Sequence, residues 1–168
     1  MTGRPNATSE KRKVRSAERV RAYLESHGLA DGLVVFEQST KTAQMAADAM
    51  GCELGQIVKS LVFVADGARP VLALVAGDRR GDAQAIAREM GAERAELADA
   101  ETVRAATGYA IGGVCPFDLP EDLPVLVDES LTRFEVVYPA GGTPDSMVKM
   151  TLERLIALTG GRVCSIAS

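Results

Sequence analysis

Two β-rich apolar runs, Ile57–Ala65 and Val71–Ala76, flank the segment Asp66-Gly67-Ala68-Arg69-Pro70. That arrangement commits the middle of the chain to an antiparallel hairpin. One charge interrupts the first run: Lys59, in Ile57-Val58-Lys59-Ser60-Leu61-Val62-Phe63. Taking an ammonium out of water is costly unless a counter-charge or hydrogen-bonding partners compensate. Alternation along a strand turns Lys59 away from Val58 and Ser60, onto a face shared with apolar Ile57 and Leu61. Pattern alone leaves two readings open: an edge-strand lysine that blunts aggregation, or a cation put to use.

The rest of the chain arranges itself around this hairpin. Val14, Ala17, Val20 and Leu24 have helical spacing that ends near Gly28. Leu33–Phe36 reads as a short strand and Thr40–Met50 as a helix stopped at Gly51. Asp82–Met90 is a helix ended by Gly91, and Asp99 caps another that runs to Thr107 and stops at Gly108. Strands follow at Val125–Val127, Phe134–Tyr138 and Met147–Met150. Thr151 caps a last helix to Leu158, Gly160-Gly161 ends it, and Arg162–Ile166 is a closing strand. Strands outnumber the helices that could cross between them, so an α+β domain with a mixed sheet is expected. Residues 14–168 form one domain, with residues 1–13 a flexible arm made basic by Lys11, Arg12 and Lys13.

Composition removes several function classes. A net charge of −4 argues against broad nucleic-acid binding, though not against gripping the end of a strand, where few phosphates need neutralising. Cys52, Cys115 and Cys164 are far apart and His27 is the single histidine, so neither a disulfide framework nor a metal centre is expected, and no cofactor. No apolar run approaches the roughly 20 residues that span a bilayer, and Met1–Arg15 lacks the apolar core of a signal peptide. A cytoplasmic protein with no membrane partner is expected.

Two glycine-rich loops could build a pocket: Gly108–Phe117 and Ala140-Gly141-Gly142-Thr143-Pro144. Gly112 and Gly113 permit close backbone approach and can aim N–H groups at one acceptor, while Pro116 stiffens the turn. Cys115 could be a nucleophile only with a base or an electropositive setting, and nothing places His27 beside it. Arg79, Arg80 and Lys41 lie at element ends, where solvation explains them more simply than phosphate contact. Asp128-Glu129 is more simply a helix cap than an acid–base pair.

The order of these motifs resembles the YbaK/prolyl-tRNA synthetase-associated family of aminoacyl-tRNA editing domains. The resemblance rests on Thr40-Lys41-Thr42-Ala43 with Ala46-Ala47, Ile57-Val58-Lys59-Ser60-Leu61, Thr107-Gly108-Tyr109, Gly112 to Phe117, Val125 to Asp128 and Ala140-Gly141. It implies a curved, partly barrel-like mixed sheet surrounded by helices. It also implies hydrolysis of the ester joining a small mischarged amino acid (Ala, Cys or Ser) to the 3′ end of tRNA, with an aminoacyl-tRNA synthetase as a further candidate partner. Lys59 falls at the family's principal functional position; the chemistry of such an ester would further have N–H groups near Gly112 and Gly113 hold its carbonyl. Thr42, Ser60, Gly108, Val114, Cys115, Pro116 and Gly141 then line the substrate pocket, and Gly112–Pro116 matches the family's GxxxP loop. The stretch Thr143-Pro144-Asp145-Ser146 departs from the pattern where some members choose their substrate. Two alternatives are an inactive tRNA-end or synthetase-binding module of the same fold, and an acyl hydrolase acting through Cys115.

Overall fold

The computed structural model of the protein describes residues 5–37 and 42–168, with side chains described from residue 15. The central hairpin forms as its sequence dictates. Strand β2 (Ile57–Ala65) pairs antiparallel with β3 (Arg69–Ala76), in register from Val58↔Ala76 to Ala65↔Arg69. Around it is a curved seven-stranded mixed sheet. On the far side of β3, β5 (Val125–Asp128) and then β9 (Arg162–Cys164) add in parallel. On the far side of β2, two strands share its length: β6 (Val136–Pro139) pairs with its start and β4 (Ala95–Leu97) with its end. Strand β8 (Met150–Thr151) lies outside β6. A separate two-stranded sheet joins β1 (Leu33–Val35) to β7 (Ser146–Val148).

Both faces of the hairpin are covered. Val58, Val62, Leu72 and Leu74 pack with Val20 and Leu24 of helix α1 (Pro5–Ser26), with Leu155 of α5 (Leu152–Thr159), and with Tyr109 and Phe117. On the opposite face, Phe63, Val71, Ala73 and Val75 meet Ile86 of α3 (Ala83–Glu89) and Ile166. Each fully buried Leu, Ile or Phe here contributes about 1.5–3 kcal/mol. Two short helices complete the set, α2 (Ala43–Met50) and α4 (Ala100–Thr107).

The capping residues behave as their chemistry requires. Asp99 accepts from the Thr102 N–H (2.8 Å) and Gly108 ends α4 at φ +81. Thr151 accepts from the Arg154 N–H (3.2 Å) at the start of α5. Asp128 caps the 3-10 turn Glu129–Arg133 rather than acting in an acid–base pair, and its other oxygen accepts from Ile166 N–H (2.9 Å).

Three local expectations are corrected, and one strand is added. Helix α1 begins at Pro5 rather than Val14, so residues 5–13 of the expected arm are helical backbone; residues 1–4 lie outside the described residues. Apolar spacing picks out only its packed end, where Val20 and Leu24 are fully buried. Met147–Met150 is not one strand, because Lys149 N–H bonds to Gly32 C=O (2.8 Å) as the chain passes from one sheet to the other. Phe134 closes the preceding turn instead of opening a strand. Strand β4, too short to show a period, is tied in by Asp66, whose carboxylate accepts from Glu93 and Arg94 N–H.

Candidate active site

Where β6 and β4 leave β2 uncovered between them, the sheet edge opens into a cavity of about 330 Å³. Lys59, Ser60 and Leu61 form its β2 wall, Thr42 and Ala46 its α2 wall, and Gly112 and Val114 its loop wall. Ala140, Thr143, Ser146 and Met147 complete it. Of the residues expected from sequence, Thr42, Lys59, Ser60, Gly112 and Val114 are therefore brought together.

Lys59 is half-buried, and its Nζ donates to the carbonyl of Arg79. Burial lowers its pKa, the neighbouring Arg80 lowers it further, and Asp78 acts weakly the other way. Asp78 is committed elsewhere, in a two-pronged pair with Arg133 (2.8 and 2.9 Å) whose hydrogen bonds hold its carboxyl below the usual range. Among the described residues no carboxylate lies within ion-pair distance of Lys59. Its ammonium is thus aimed by a carbonyl and left without a direct counter-charge.

Hydroxyls dominate the polar lining. Thr42 Oγ1 accepts from Met45 N–H (3.1 Å), so the residue caps α2 while standing at the wall. Ser60 Oγ is buried and has no hydrogen-bond partner among the described residues. Thr143 Oγ1 and Ser146 Oγ lie 2.7 Å apart, and Thr143 also donates to Asp145. Ala140 and Thr143 belong to the second loop expected to build a pocket, and Ser146 to the stretch expected to bear on substrate choice, but sequence gives none of the three a site role of its own; Met147 is not expected at the site. Thr143-Pro144-Asp145-Ser146 has the composition of an ordinary surface turn, and the pairing of β7 with β1, together with the Gly141 N–H bond to Ser146 C=O (3.0 Å), folds it against the cavity.

Other expected residues stand behind the wall or away from it. Gly113 is off the wall, and its N–H donates to Ala110 C=O (2.9 Å), so that donor is not free for an ester carbonyl. Gly108 faces Arg19, where an added Cβ would lie 2.6 Å from Nη1. Gly141 packs against Ser146 Oγ at 2.7 Å from an ideal Cβ. Pro116 lines a different cavity with Tyr23 and Leu158. Cys115 is fully buried in the core, and burial pushes its thiol up to about 11. A thiolate nucleophile needs access and a depressed pKa; Cys115 has neither, which removes the thiol-hydrolase alternative. Lys41 and Thr40 lie outside the described residues. Arg79 and Arg80 are exposed beside Lys59, and Arg80 is pinned by main-chain bonds to Ser168 (3.0 and 3.1 Å).

Helix α1 stiffens the loop wall from behind. Arg19 Nε pairs with Asp118 (2.7 Å), its Nη2 donates to the Asp118 carbonyl, and its guanidinium lies 4.4 Å from the Tyr109 ring centroid. Tyr109 OH in turn donates to Phe117 C=O (2.6 Å), closing the loop on itself. Asp118 is held at φ +52, a left-handed conformation that these contacts over-determine. Among the described residues no group of three His, Cys, Asp or Glu could hold a metal ion, and no helix is long and apolar enough to cross a membrane.

Comparison with known proteins bears on this arrangement. Residues 37–158 match the model of a family described as the aminoacyl-tRNA editing domain. A crystal structure described as a candidate trans-editing enzyme for prolyl tRNA synthetase superposes with a TM-score of 0.81, at 42% identity, covering 91% of this chain and 97% of that one. ProXp-y of Escherichia coli, named a multifunctional Ser/Thr-tRNA deacylase, is 32% identical over 82% of this chain and 85% of its own length. EbsC of Enterococcus faecalis, named a candidate Cys-tRNA(Pro)/Cys-tRNA(Cys) deacylase, is 26% identical over 76% of this chain and 77% of its own.

Proposed function

The chain belongs to the aminoacyl-tRNA editing domain family, and from that premise we propose that its cavity hydrolyses the ester joining a small mischarged amino acid to the terminal ribose of tRNA. The protein is an aminoacyl-tRNA deacylase; the substrate and the residue roles are the proposal. The observation that carries it is the Lys59 ammonium, aimed by the Arg79 carbonyl and without a direct counter-charge, on the wall of a cavity of about 330 Å³ lined by hydroxyls.

An aminoacyl ester is already an activated acyl group, so positioning a water and stabilising the developing oxyanion lower its barrier. Lys59 supplies positive charge toward the ester or the terminal phosphate. Arg79 and Arg80, exposed next to it, meet the phosphates at the end of the strand. The methyl and isopropyl groups of Ala43, Ala46 and Val114 limit the room for the substrate side chain, which excludes large amino acids but not small ones. The hydroxyls of Thr42, Ser60, Thr143 and Ser146 suit Ser, Thr or Cys, with Ala tolerated. Prolyl-tRNA synthetase, named for one structural relative, is the synthetase whose errors it would correct.

The test is single-turnover hydrolysis of alanyl-, cysteinyl-, seryl- and threonyl-tRNA, with phenylalanyl-tRNA as the oversized control. At least one small ester should be cleaved well above its spontaneous rate and the control spared. Cys115→Ala should cost about 1–2 kcal/mol of stability but change the rate by less than about threefold, as a packing residue would. Binding of charged tRNA without turnover would instead identify an inactive binding module.

A further inference from the structure

One edge of β2 is paired with β3 from Val58 to Ala65, and its other edge serves β6 at Ile57–Val58 and β4 at Phe63–Ala65. Main-chain groups of successive residues in a strand point to opposite edges. Gly77 N–H bonds to Ile57 C=O on the β3 side, so the odd-numbered residues of β2 face β3. Ala98 N–H bonds to Val62 C=O on the other side, so the even-numbered residues face away. Val58 lies against β6, and Val62 and Val64 lie against the β4 segment. Ser60 is left facing the gap. Among the described residues its N–H and C=O have no main-chain partner, its buried Oγ has none either, and the residue lines the cavity. Three polar groups of one half-buried residue thus stand unpaired at one spot, where unpaired groups are costly unless something fills them.

A hydrogen-bonded antiparallel pair asks the incoming group for a donor and an acceptor separated by one tetrahedral carbon. An aminoacyl ester has this layout: an ammonium on the α-carbon, and a carbonyl next to it. We infer that the aminoacyl group docks as a single added strand residue opposite Ser60, its ammonium donating to Ser60 C=O and its ester carbonyl accepting from Ser60 N–H. This deepens the deacylase reading above and rests on it. When water adds to the acyl carbon, the carbonyl electron pair moves onto oxygen and the Ser60 N–H holds the oxyanion, a role that Gly113 N–H cannot take. Collapse breaks the bond to the ribose oxygen. That oxygen takes one proton from the attacking water, the other goes to solvent, and the amino acid leaves as its carboxylate. Directly opposed residues in an antiparallel pair place their side chains on the same face. The substrate side chain therefore meets Ser60 Oγ, while Lys59 acts from the opposite face of the strand.

The inference is tested on the substrate and on the strand. Each rate is divided by the spontaneous hydrolysis of the same ester, because an α-ammonium itself activates the acyl group. With wild-type protein, propionyl-tRNA, which lacks only the amine of alanyl-tRNA, should lose about 10- to 100-fold of the acceleration, the worth of a charged hydrogen bond. Ser60→Pro removes an N–H that bonds to no strand, and should lower kcat by about 100- to 1000-fold while circular dichroism stays native. Ser60→Ala should shift preference from seryl- toward alanyl-tRNA. Equal acceleration of propionyl- and alanyl-tRNA overturns main-chain pairing while leaving the deacylase reading intact, and it does so even if the proline variant fails to fold. Failure of wild type to hydrolyse any small aminoacyl-tRNA overturns both.

Discussion

Lys59→Ala is expected to lower kcat for deacylation by about 100- to 1000-fold with a smaller change in KM, the pattern of an interaction made mainly in the transition state. The side chain is half-buried, its Nζ is fixed by the Arg79 carbonyl, and among the described residues no carboxylate neutralises it directly. Its charge is therefore available to a developing oxyanion or a phosphate. Truncation should leave folding intact, since it removes a partly desolvated cation rather than a packed apolar group. Burial, with Arg80, holds the folded-state pKa below the ordinary value of 10.5. The sign of the pH effect follows. The charged form is disfavoured in the folded state, so wild type bears a penalty at neutral pH. That penalty is relieved as pH rises from the lowered pKa toward the unfolded value. Activity moves the opposite way, because the working form is the cation. After correction for spontaneous hydrolysis, the wild-type rate should fall on an alkaline limb that begins below the usual lysine range. The residual rate of Lys59→Ala should lack that limb. Single-turnover rates across pH, with chemical denaturation of both proteins, check each part.

Gly142→Ala is expected to cost much stability next to the site. Gly142 sits at φ +96, and an added Cβ would lie 2.5 Å from Val20 Cγ2 and 3.3 Å from the Ser16 carbonyl of α1. Left-handed strain of about 1–3 kcal/mol and overpacking of about 1–3 kcal/mol give a loss of about 2–6 kcal/mol. The turn also carries Ala140 and Thr143, two groups of the cavity wall, so deacylation should fall with stability. Val20→Ala removes the clashing methyl. In a urea-denaturation cycle the double variant should therefore be more stable than the summed single losses predict. Strict additivity would mean that backbone strain alone is responsible.

How much of this was legible in the sequence depends on whether a feature is local. The β2–β3 hairpin and the caps at Asp99, Gly108 and Thr151 follow from neighbours within a few residues, and they form as expected. Lys59 stood out because a charge in an apolar strand is locally anomalous. What sequence could not show is long-range. The gap opposite Ser60 exists because β6 and β4, from distant parts of the chain, cover different ends of β2. Cys115 and Pro116 belong to the same loop as Gly112, yet the buried Tyr109–Phe117 bond turns them inward or to another cavity. Spacing could not separate wall residues from those that hold the wall up. Nor could the family resemblance reveal that Arg19, outside the segment matched to the family, clamps the loop from α1.

The central claim, that the open edge of β2 holds the charged end of tRNA, is tested most directly by a crystal structure with 3′-seryl-amido-3′-deoxyadenosine, whose amide resists hydrolysis. The seryl group should lie opposite Ser60, its ammonium on the Ser60 carbonyl and its acyl oxygen toward the Ser60 N–H, with the adenosine on the side of Lys59, Arg79 and Arg80. Density for the seryl group in the Tyr23–Leu158 cavity, or in the β2 cavity but away from Ser60, would contradict the account.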